Sequence, residues 1–268
     1  MIKLEKVLNE IPVSLVPAYI DLFPGQLSVP MKSRTTHEKR LSVINSGAYN
    51  DTSSFNDRYK LSDIRSRLIS IYRGKCAFCE QKVEQYHVEH YRPKAIYYWL
   101  AFSWDNLMLS CPTCNQNKGV NFELEGTTVT FNNTEANLRS INNSSANYDL
   151  VELPKMVNPE ITDPSGEIRF QVNGIIESDN VRFAYTIEKC KIDRKDLNDN
   201  RRSLLDRFRE HLRDVALSYD NNQDKKIGIE TTIRNFIIDS KNSEIEFLAF
   251  RRYAISSGWL NDIAKDIN

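Results

Sequence analysis

Residues 76–119, CAFCEQKVEQYHVEHYRPKAIYYWLAFSWDNLMLSCPTCNQNKG, contain the spacing that decides the fold. Two Cys-x-x-Cys knuckles of identical internal spacing stand near the two ends of this stretch, and such a pair converges on one tetrahedral zinc ion. A four-cysteine site leaves no open position on the metal, so we expect a structural zinc and any chemistry between the knuckles. Chance pairs and a redox dithiol are the alternatives. The predicted zinc ligands are Cys76, Cys79, Cys111 and Cys114.

The overall charge excludes a protein that binds nucleic acid through a general basic excess. The chain of 268 residues has 36 Lys and Arg against 36 Asp and Glu, so any such binding must come from local patches. One patch covers residues 58–75, where six basic residues accompany one acidic residue. A second covers residues 194–213, with seven basic and four acidic residues. A solvated helix face is the favoured interpretation of this second patch.

The N-terminal sequence and the paired cysteines indicate that the protein resides in a reducing compartment. The N-terminal stretch MIKLEKVLNEIPVSLVPAYI lacks the profile of a signal peptide, and the apolar run near residues 95–102 is too short to span a bilayer. We therefore expect a cytoplasmic protein without a membrane partner, in which paired cysteines indicate metal more often than disulfide. Cys190 stands outside the pairs and is expected to be a small buried residue.

The residues before the first knuckle predict helices. Residues 1–75 are expected to form a mainly helical region, with KLSDIRSRLISIYRGK as its clearest segment because its apolar residues recur at helical spacing. Ser62 is a possible N-terminal cap of that helix, and Gly74 ends it. Residues 76–125 are expected to form a compact metal-centred module. Residues 126–268 are expected to form a C-terminal region with a hairpin and helices that could bind a partner.

The C-terminal region carries weaker local signals. Residues 132–147, rich in Asn and Ser, predict a long loop or an inserted surface segment. The Asn173-Gly174 pair between EIRFQV and IIES predicts a β-hairpin. The apolar stripe of residues 197–219 predicts a long amphipathic helix. Ser243 with Glu246 three residues later predicts a capping box before a further helix.

The sequence from the first knuckle to the end of the second resembles the HNH endonuclease family, because the motifs of that family occur here in the same order. YHVEHYRPK supplies an acid-His pair before a proline, WDNLMLSC an Asn-Leu segment before the second knuckle, and CNQNKG a Cys-Asn-x-x-Lys at the start of a helix. The resemblance implies an α+β fold, in which a mainly helical chain encloses a small zinc-braced, treble-clef-like ββα-metal module. It also implies a metal-dependent endonuclease that hydrolyses phosphodiester bonds of nucleic acid, with DNA favoured over RNA.

The resemblance assigns roles to four residues. Glu89 and Asn115 take the positions of metal ligands, His90 that of the general base, and Asn106 that of the residue that orients the base. These types suit the chemistry, because a neutral imidazole accepts a proton from water near neutral pH and because carboxylate and amide oxygens bind Mg²⁺ or Mn²⁺. The chain has Glu where Asp is more usual in the family, and Asn rather than His ends the motif; both variants keep an oxygen ligand.

Neighbouring residues leave alternatives open. Asn117 competes with Asn115 as a metal ligand, although Asn115 has the spacing to the following lysine that the motif requires. On a strand, His87 would point away from His90, so packing or a substrate contact is favoured over catalysis for His87. A simple turn is the alternative for residues 92–94. Contacts to substrate phosphate are expected from Arg92, Lys94 and Lys118.

Longer phrases resemble one branch of the family. CAFCE, HVEHYRPK, WDNLMLSCPTCNQNKG, VNPEITDP, NGII and KIDRKDLNDNR are similar to the PtuB-like nucleases of Septu-type bacterial antiphage systems, which also occur beside some retrons. This likeness implies a defence effector that acts in a hetero-oligomeric complex with an ABC-type ATPase (PtuA-like). Two rival hypotheses stay open: a non-catalytic zinc module that binds nucleic acid or protein, and a stand-alone restriction-type HNH nuclease.

Overall fold

A small ββα unit lies between two groups of helices in this computed structural model, which describes residues 1–267. The helices before the unit are α1 (Met31–Ser46), α2 (Ser53–Asn56) and α3 (Ser62–Tyr72). The unit consists of β1 (His87–His90), β2 (Leu107–Ser110) and α4 (Pro112–Lys118). The elements after it are α5 (Glu135–Arg139), α6 (Ser145–Glu152), β3 (Arg169–Phe170), β4 (Ile176–Glu177), α7 (Val181–Lys189), α8 (Lys195–Ser218), α9 (Asn222–Asp239), α10 (Leu248–Ser256) and α11 (Trp259–Lys265).

The β-hairpin of the unit carries Glu89 and His90 and is hydrogen-bonded to the first knuckle. β1 and β2 pair antiparallel, with Glu89 opposite Met108 and His90 opposite Leu107. The side chains of β2 are all buried, which agrees with the apolar sequence LMLS. The first knuckle is fixed to this hairpin, because the backbone N–H of Ala77 donates to the carbonyl of Leu109 at 2.9 Å. Together these elements confirm the predicted α+β class.

Helix α3 confirms the helix predicted before the first knuckle, with one correction at its start. Its apolar stripe is buried, and residues Arg73 and Gly74 end it in the left-handed region with φ of 54° and 66°. Ser62, however, is the first helical residue and Leu61 is the N-cap. No side chain caps this helix; the carboxylate of Asp63 in its first turn accepts hydrogen bonds from the backbone N–H and hydroxyl of Ser14, which fixes the start of α3 to the N-terminal segment.

The predicted capping box at Ser243 and Glu246 is wrong. Helix α10 begins at Leu248, with Phe247 at the N-cap. The box residues bind the region around the first knuckle instead: the carbonyl of Ser243 accepts from the buried Lys75 ammonium, and the Glu246 carboxylate accepts from the backbone N–H of Lys82. Long-range contacts therefore override a local capping signal.

The predicted Asn/Ser loop of residues 132–147 is also wrong. The segment contains α5, a 3₁₀ turn and the start of α6. Asn142 is buried because its side chain joins separate segments: Oδ1 accepts from the backbone N–H of Trp104 at 2.8 Å, and Nδ2 donates to the carbonyl of Leu15 at 3.1 Å. The polar composition thus reflects structural hydrogen bonds in addition to exposure to solvent.

The hairpin and the long helix predicted in the C-terminal region are both present. β3 and β4 pair antiparallel, and Gly174 has a φ of 87° in the turn between them. A side chain at Gly174 would collide with the Asn198 carbonyl on α8, since an added Cβ would lie 2.0 Å from that oxygen. Helix α8 buries the predicted apolar stripe from Leu197 to Leu212, but Tyr219, the last residue of that stripe, lies beyond the end of the helix and is exposed.

The buried side chains of all three predicted regions form one continuous core around the ββα unit. Lys6 shows how the N-terminal region is attached: its ammonium donates to the carbonyls of Trp104 and Leu107 and to the carboxylate of Glu160. The boundaries at residues 75 and 125 stay predictions. Among the described residues, no helix has the length and hydrophobicity needed to cross a membrane.

Candidate active site and metal centre

The two knuckles bring four buried thiols to one point. The sulfur atoms of Cys76, Cys79, Cys111 and Cys114 lie within 4.8 Å of one another. The Sγ atoms of Cys79 and Cys111 are 3.9 Å apart, close to the roughly 3.8 Å that tetrahedral geometry requires for Zn–S bonds of about 2.3 Å. The four thiols therefore fit a zinc ion, in agreement with the spacing of the two Cys-x-x-Cys pairs.

The guanidinium of Arg194, the residue just before helix α8, lies against this cluster. Arg194 donates from Nη1 to the Sγ of Cys114 at 3.6 Å, and the backbone N–H of Cys114 donates to the Sγ of Cys111 at 3.3 Å. Four thiolates around Zn²⁺ carry a net charge of about −2, which a nearby guanidinium offsets. The interpretation of residues 194–213 as a solvated face is therefore wrong for Arg194 and for Arg201, which is 2% exposed and donates to the carbonyls of Gly174 and residue 192.

His90 is held as a buried, neutral base at the end of β1. Its Nε2 lies 3.0 Å from the carbonyl oxygen of Ala101. Because a carbonyl only accepts, the neutral ring carries its proton on Nε2 and has its lone pair on Nδ1. The pKa of His90 is lowered to about 3, mainly by burial and in smaller part by the positive charges of Lys94 and Lys118, while the hydrogen bond to Ala101 opposes this shift. The imidazole is thus in the form that can accept a proton at neutral pH.

Asn106 acts on the loop around His90 and does not contact the imidazole, which corrects its predicted role. Within the described residues, its side chain accepts from the backbone N–H of Arg92 at 2.7 Å and donates to the carbonyls of Arg92 and Leu100. These bonds fix both ends of the loop that carries Ala101. Asn106 therefore binds the backbone near His90, whereas the Ala101 carbonyl accepts the hydrogen bond from the imidazole.

Glu89 and Lys118 form a buried ion pair. The Lys118 ammonium donates to Glu89 Oε1 and to the carbonyl of His90, each at 2.7 Å, and the Lys118 side chain is fully buried. Burial raises the pKa of Glu89, while the charge of Lys118 opposes that shift. The expected contact of Lys118 with substrate phosphate is therefore wrong, because its ammonium is enclosed and serves to hold the Glu89 carboxylate.

Lys118→Met is expected to lower the free energy of unfolding by about 3–5 kcal/mol, because removing one partner leaves the Glu89 charge buried without compensation. Urea denaturation measures this loss. Lys155→Met is the matched control, since Lys155 forms an exposed pair with Glu123 at 3.1 Å and such pairs contribute about 0–1 kcal/mol. Equal losses in the two variants would contradict the structural role of Lys118.

A cleft of about 420 Å³ brings together three of the predicted site residues, Glu89, His90 and Asn115. Lys94 also lines this cleft. Asn117, the competing ligand candidate, is exposed and donates from its amide to the carbonyl of Thr113 at 2.8 Å. Asn115 is thus the one of the two asparagines that lies beside Glu89 and His90.

Arg92 is a structural residue, which corrects its expected contact with phosphate. Its guanidinium is fully buried and donates to the carboxylates of Glu152 and Asp149 and to the hydroxyl of Ser145. These bonds tie the loop after β1 to α6. A side chain enclosed in this way has no exposed donor for a substrate.

Tyr59 is a site residue that the sequence did not indicate. Its ring meets the His90 imidazole edge to face, with centroids 4.6 Å apart and planes at 84°, and Tyr59 lines the cleft. It comes from the turn before α3, 31 positions before the histidine, and no motif links the two. His87, by contrast, is exposed at the start of β1, and Cys190 is buried as expected.

The basic patch of residues 58–75 is partly structural. Lys75 is buried and donates to the carbonyls of Ser243 and Ile245. Arg58 donates to the carbonyl of Lys32 at 2.8 Å and to the hydroxyl of Thr36. The exposed basic residues of the patch are Lys60, Arg65 and Arg73.

Comparison with known protein families identifies the domain that contains this site. Residues 76–121 match the family described as HNH endonuclease. This range contains both knuckles, the hairpin and α4, so the resemblance seen in the sequence is confirmed. The chain carries an HNH endonuclease domain, which makes it a nuclease and a phosphodiester hydrolase by class.

Two relatives show which group of HNH proteins the chain is similar to. The chain is 27% identical over 209 residues to the Septu protein PtuB of Bacillus mycoides (strain KBAB4), an alignment that covers 68% of this chain and 67% of the relative. It is 37% identical over 60 residues to the Septu protein PtuB of Bacillus thuringiensis, covering 21% of this chain and 23% of that relative. The chain is therefore PtuB-like, as its longer phrases predict.

Proposed function

We propose that this chain hydrolyses phosphodiester bonds of nucleic acid, with DNA as the favoured substrate, and that His90 is the general base. The observation that carries the proposal is the convergence of a buried neutral imidazole with Glu89 and Asn115 on one cleft. Nδ1 of His90 accepts the proton of the attacking water while the Ala101 carbonyl holds Nε2–H. A non-catalytic zinc module has no need for this arrangement.

Glu89 and Asn115 would hold the catalytic divalent cation, Mg²⁺ or Mn²⁺. Their carboxylate and amide oxygens are ligands that hard cations prefer. When bound, the cation supplies stabilisation of the negative charge that develops on the phosphate. Lys118 keeps the Glu89 carboxylate at the cleft, through the 2.7 Å hydrogen bond to Oε1. Glu89, His90, Asn106 and Asn115 are thus the proposed site residues, with Asn106 acting through the loop.

The four cysteines would hold a structural zinc, separate from the catalytic cation. Cys76 and Cys79 lie before the hairpin, whereas Cys111 and Cys114 lead into α4. A zinc at these sulfurs therefore fixes the strand that carries Glu89 and His90 relative to the helix that carries Asn115. A closed set of four thiolates leaves no position for a reacting water.

Asn115→Ala is expected to raise the Mg²⁺ concentration needed for half-maximal cleavage by at least about tenfold, since even indirect partners of a metal change its affinity 10- to 100-fold. The cleavage rate is measured across a Mg²⁺ titration. Asn117→Ala is the matched control, because Asn117 lies on the same helix but is exposed. An unchanged titration for Asn115→Ala with a shifted one for Asn117→Ala would transfer the ligand role.

We further propose that the nuclease is an effector of antiphage defence, active in a complex with an ABC-type ATPase. The likeness to the two Septu proteins supports this proposal. The gene neighbourhood is searched for an ABC-type ATPase, which is then co-expressed with the nuclease and affinity-purified through a tag on the ATPase. The nuclease should co-purify in a fixed ratio; a neighbourhood without an ATPase, or an ATPase that purifies alone, would favour a stand-alone enzyme.

A further inference from the structure

One wall of the cleft is formed by a segment far from the knuckles in sequence. Residues 48–60, called the arm here, contain α2 and the following 3₁₀ turn. Tyr49, Asp51 and Tyr59 of the arm line the cleft together with His90 and Lys94. The arm therefore lies beside the part of the cleft that contains His90.

The arm holds the Lys94 ammonium in a fixed place. Lys94 Nζ donates to Asp51 Oδ1 at 2.8 Å and to Asn56 Oδ1 at 3.0 Å, and it lies 4.1 Å from the centroid of the Tyr49 ring. Asn56 is itself fixed, because Oδ1 accepts from the hydroxyls of Tyr49 and Tyr59 and Nδ2 donates to Asp51. An ammonium has three donors, so two acceptors leave one donor for a ligand in the cleft.

The two partners of the ion pair differ in exposure. The Asp51 side chain is 74% exposed and that of Lys94 is 23% exposed. The hydrogen bond from Lys94 lowers the pKa of Asp51, so the carboxylate is charged at neutral pH. An ion pair with such an exposed carboxylate contributes little net stability, since water and salt screen it. A second anion can therefore displace Asp51 while Asn56 and Tyr49 keep Lys94 in place.

We propose that Lys94 binds a backbone phosphate of the substrate and that Asp51 is its internal competitor in the free protein. The inference rests on the proposed function, because it assumes that nucleic acid enters this cleft. Phosphate replaces the Asp51 carboxylate on the ammonium, and the released carboxylate turns to solvent. Asp51 thereby weakens the binding of nucleic acid at Lys94.

Binding without cleavage tests the proposal. Fluorescence anisotropy measures the affinity of the His90→Ala protein for a labelled DNA duplex in the absence of added divalent cation, over a range of salt. Asp51→Asn is expected to tighten binding about two- to fivefold, the range that exposed pairs span. Lys94→Met is expected to weaken it and to reduce the slope of log affinity against log salt by about 0.9, the value for one phosphate contact.

The double variant separates direct competition from a general change of charge. If Asp51 acts through Lys94, Asp51→Asn has no effect on binding when Lys94 is already Met. Glu123→Gln is the matched control, because Glu123 forms a pair of comparable exposure with Lys155 and lies outside the set of residues that line the cleft. It should leave the affinity unchanged. Zinc content and circular dichroism confirm that each variant is folded.

Three results would overturn the inference: equal tightening by Glu123→Gln, tightening by Asp51→Asn that persists with Lys94→Met, or unaltered affinity of Lys94→Met. In each of them the parent protein still binds DNA, so the proposed function stands while the inference fails. Absence of binding by the parent protein to duplex DNA, single-stranded DNA and RNA alike, both with and without Mg²⁺, would overturn both.

Discussion

Replacement of His90 by alanine is expected to lower the cleavage rate by about 10²- to 10⁴-fold, the range that a general base contributes. The physical reason is that His90 presents a neutral Nδ1 at the cleft, held by the Ala101 carbonyl at 3.0 Å and shielded by the Tyr59 ring. The rate is measured under single-turnover conditions with saturating Mg²⁺. Zinc content should stay at the wild-type value, because the four sulfurs do not depend on the imidazole.

His87→Ala is the matched control for this prediction. His87 lies on the same strand as His90, but its side chain is exposed and outside the cleft lining. The same histidine-to-alanine change at this position should leave the rate within about twofold, as surface substitutions generally have small effects. Full activity of His90→Ala, or a larger loss in His87→Ala, would contradict the assignment of the base.

Cys111→Ser is expected to remove zinc and stability together. A structural zinc site supplies folding free energy directly, because the unfolded chain does not hold the metal with comparable geometry. Loss of even about 4 kcal/mol lowers Tm by roughly 10 °C in a chain of this size. Zinc stoichiometry by elemental analysis and Tm by calorimetry are measured on the same sample. Activity should fall because the hairpin and α4 lose their common anchor.

Cys190→Ala serves as the control for cysteine removal. Cys190 is as buried as the knuckle cysteines but does not take part in the four-sulfur cluster. We expect this variant to retain zinc and to lose about 1–2 kcal/mol through the small cavity that it leaves. A Cys111→Ser protein that binds zinc with the wild-type stoichiometry and melts at the wild-type temperature would contradict the zinc assignment.

Local spacing in the sequence predicts the four-sulfur cluster and the grouping of Glu89, His90 and Asn115 at one cleft. Two Cys-x-x-Cys pairs determine where four sulfurs meet, and the Glu89-His90 pair and Asn115 stand at fixed offsets from those knuckles. A hairpin and a short helix anchored by the knuckles then have few possible arrangements. The amphipathic stripes of α3 and α8 are equally local, since helical periodicity alone determines which face is buried.

Other contacts at the site come from segments that are distant in the sequence, so no local sequence pattern predicts them. Tyr59 packs on His90 from the turn before α3, and Arg194 reaches Cys114 from the start of α8. The type of a charged residue does not reveal its role: Arg92 and Lys118 both suit a phosphate contact, whereas the tertiary structure buries each of them against carboxylates. Tertiary contacts also explain why the predicted capping box is wrong, since the Ser243 carbonyl and the Glu246 carboxylate bind Lys75 and Lys82 near the first knuckle.

A cleavage assay on plasmid DNA, single-stranded DNA and tRNA tests the central claim most directly. The wild-type protein, with and without the ATPase partner, is incubated with each substrate in Mg²⁺, in Mn²⁺ and without added divalent cation. We predict cleavage that requires the cation, is strongest on DNA and is absent in the His90→Ala protein. Failure to cut any of the three substrates under every condition, or cleavage by His90→Ala at the wild-type rate, would contradict it.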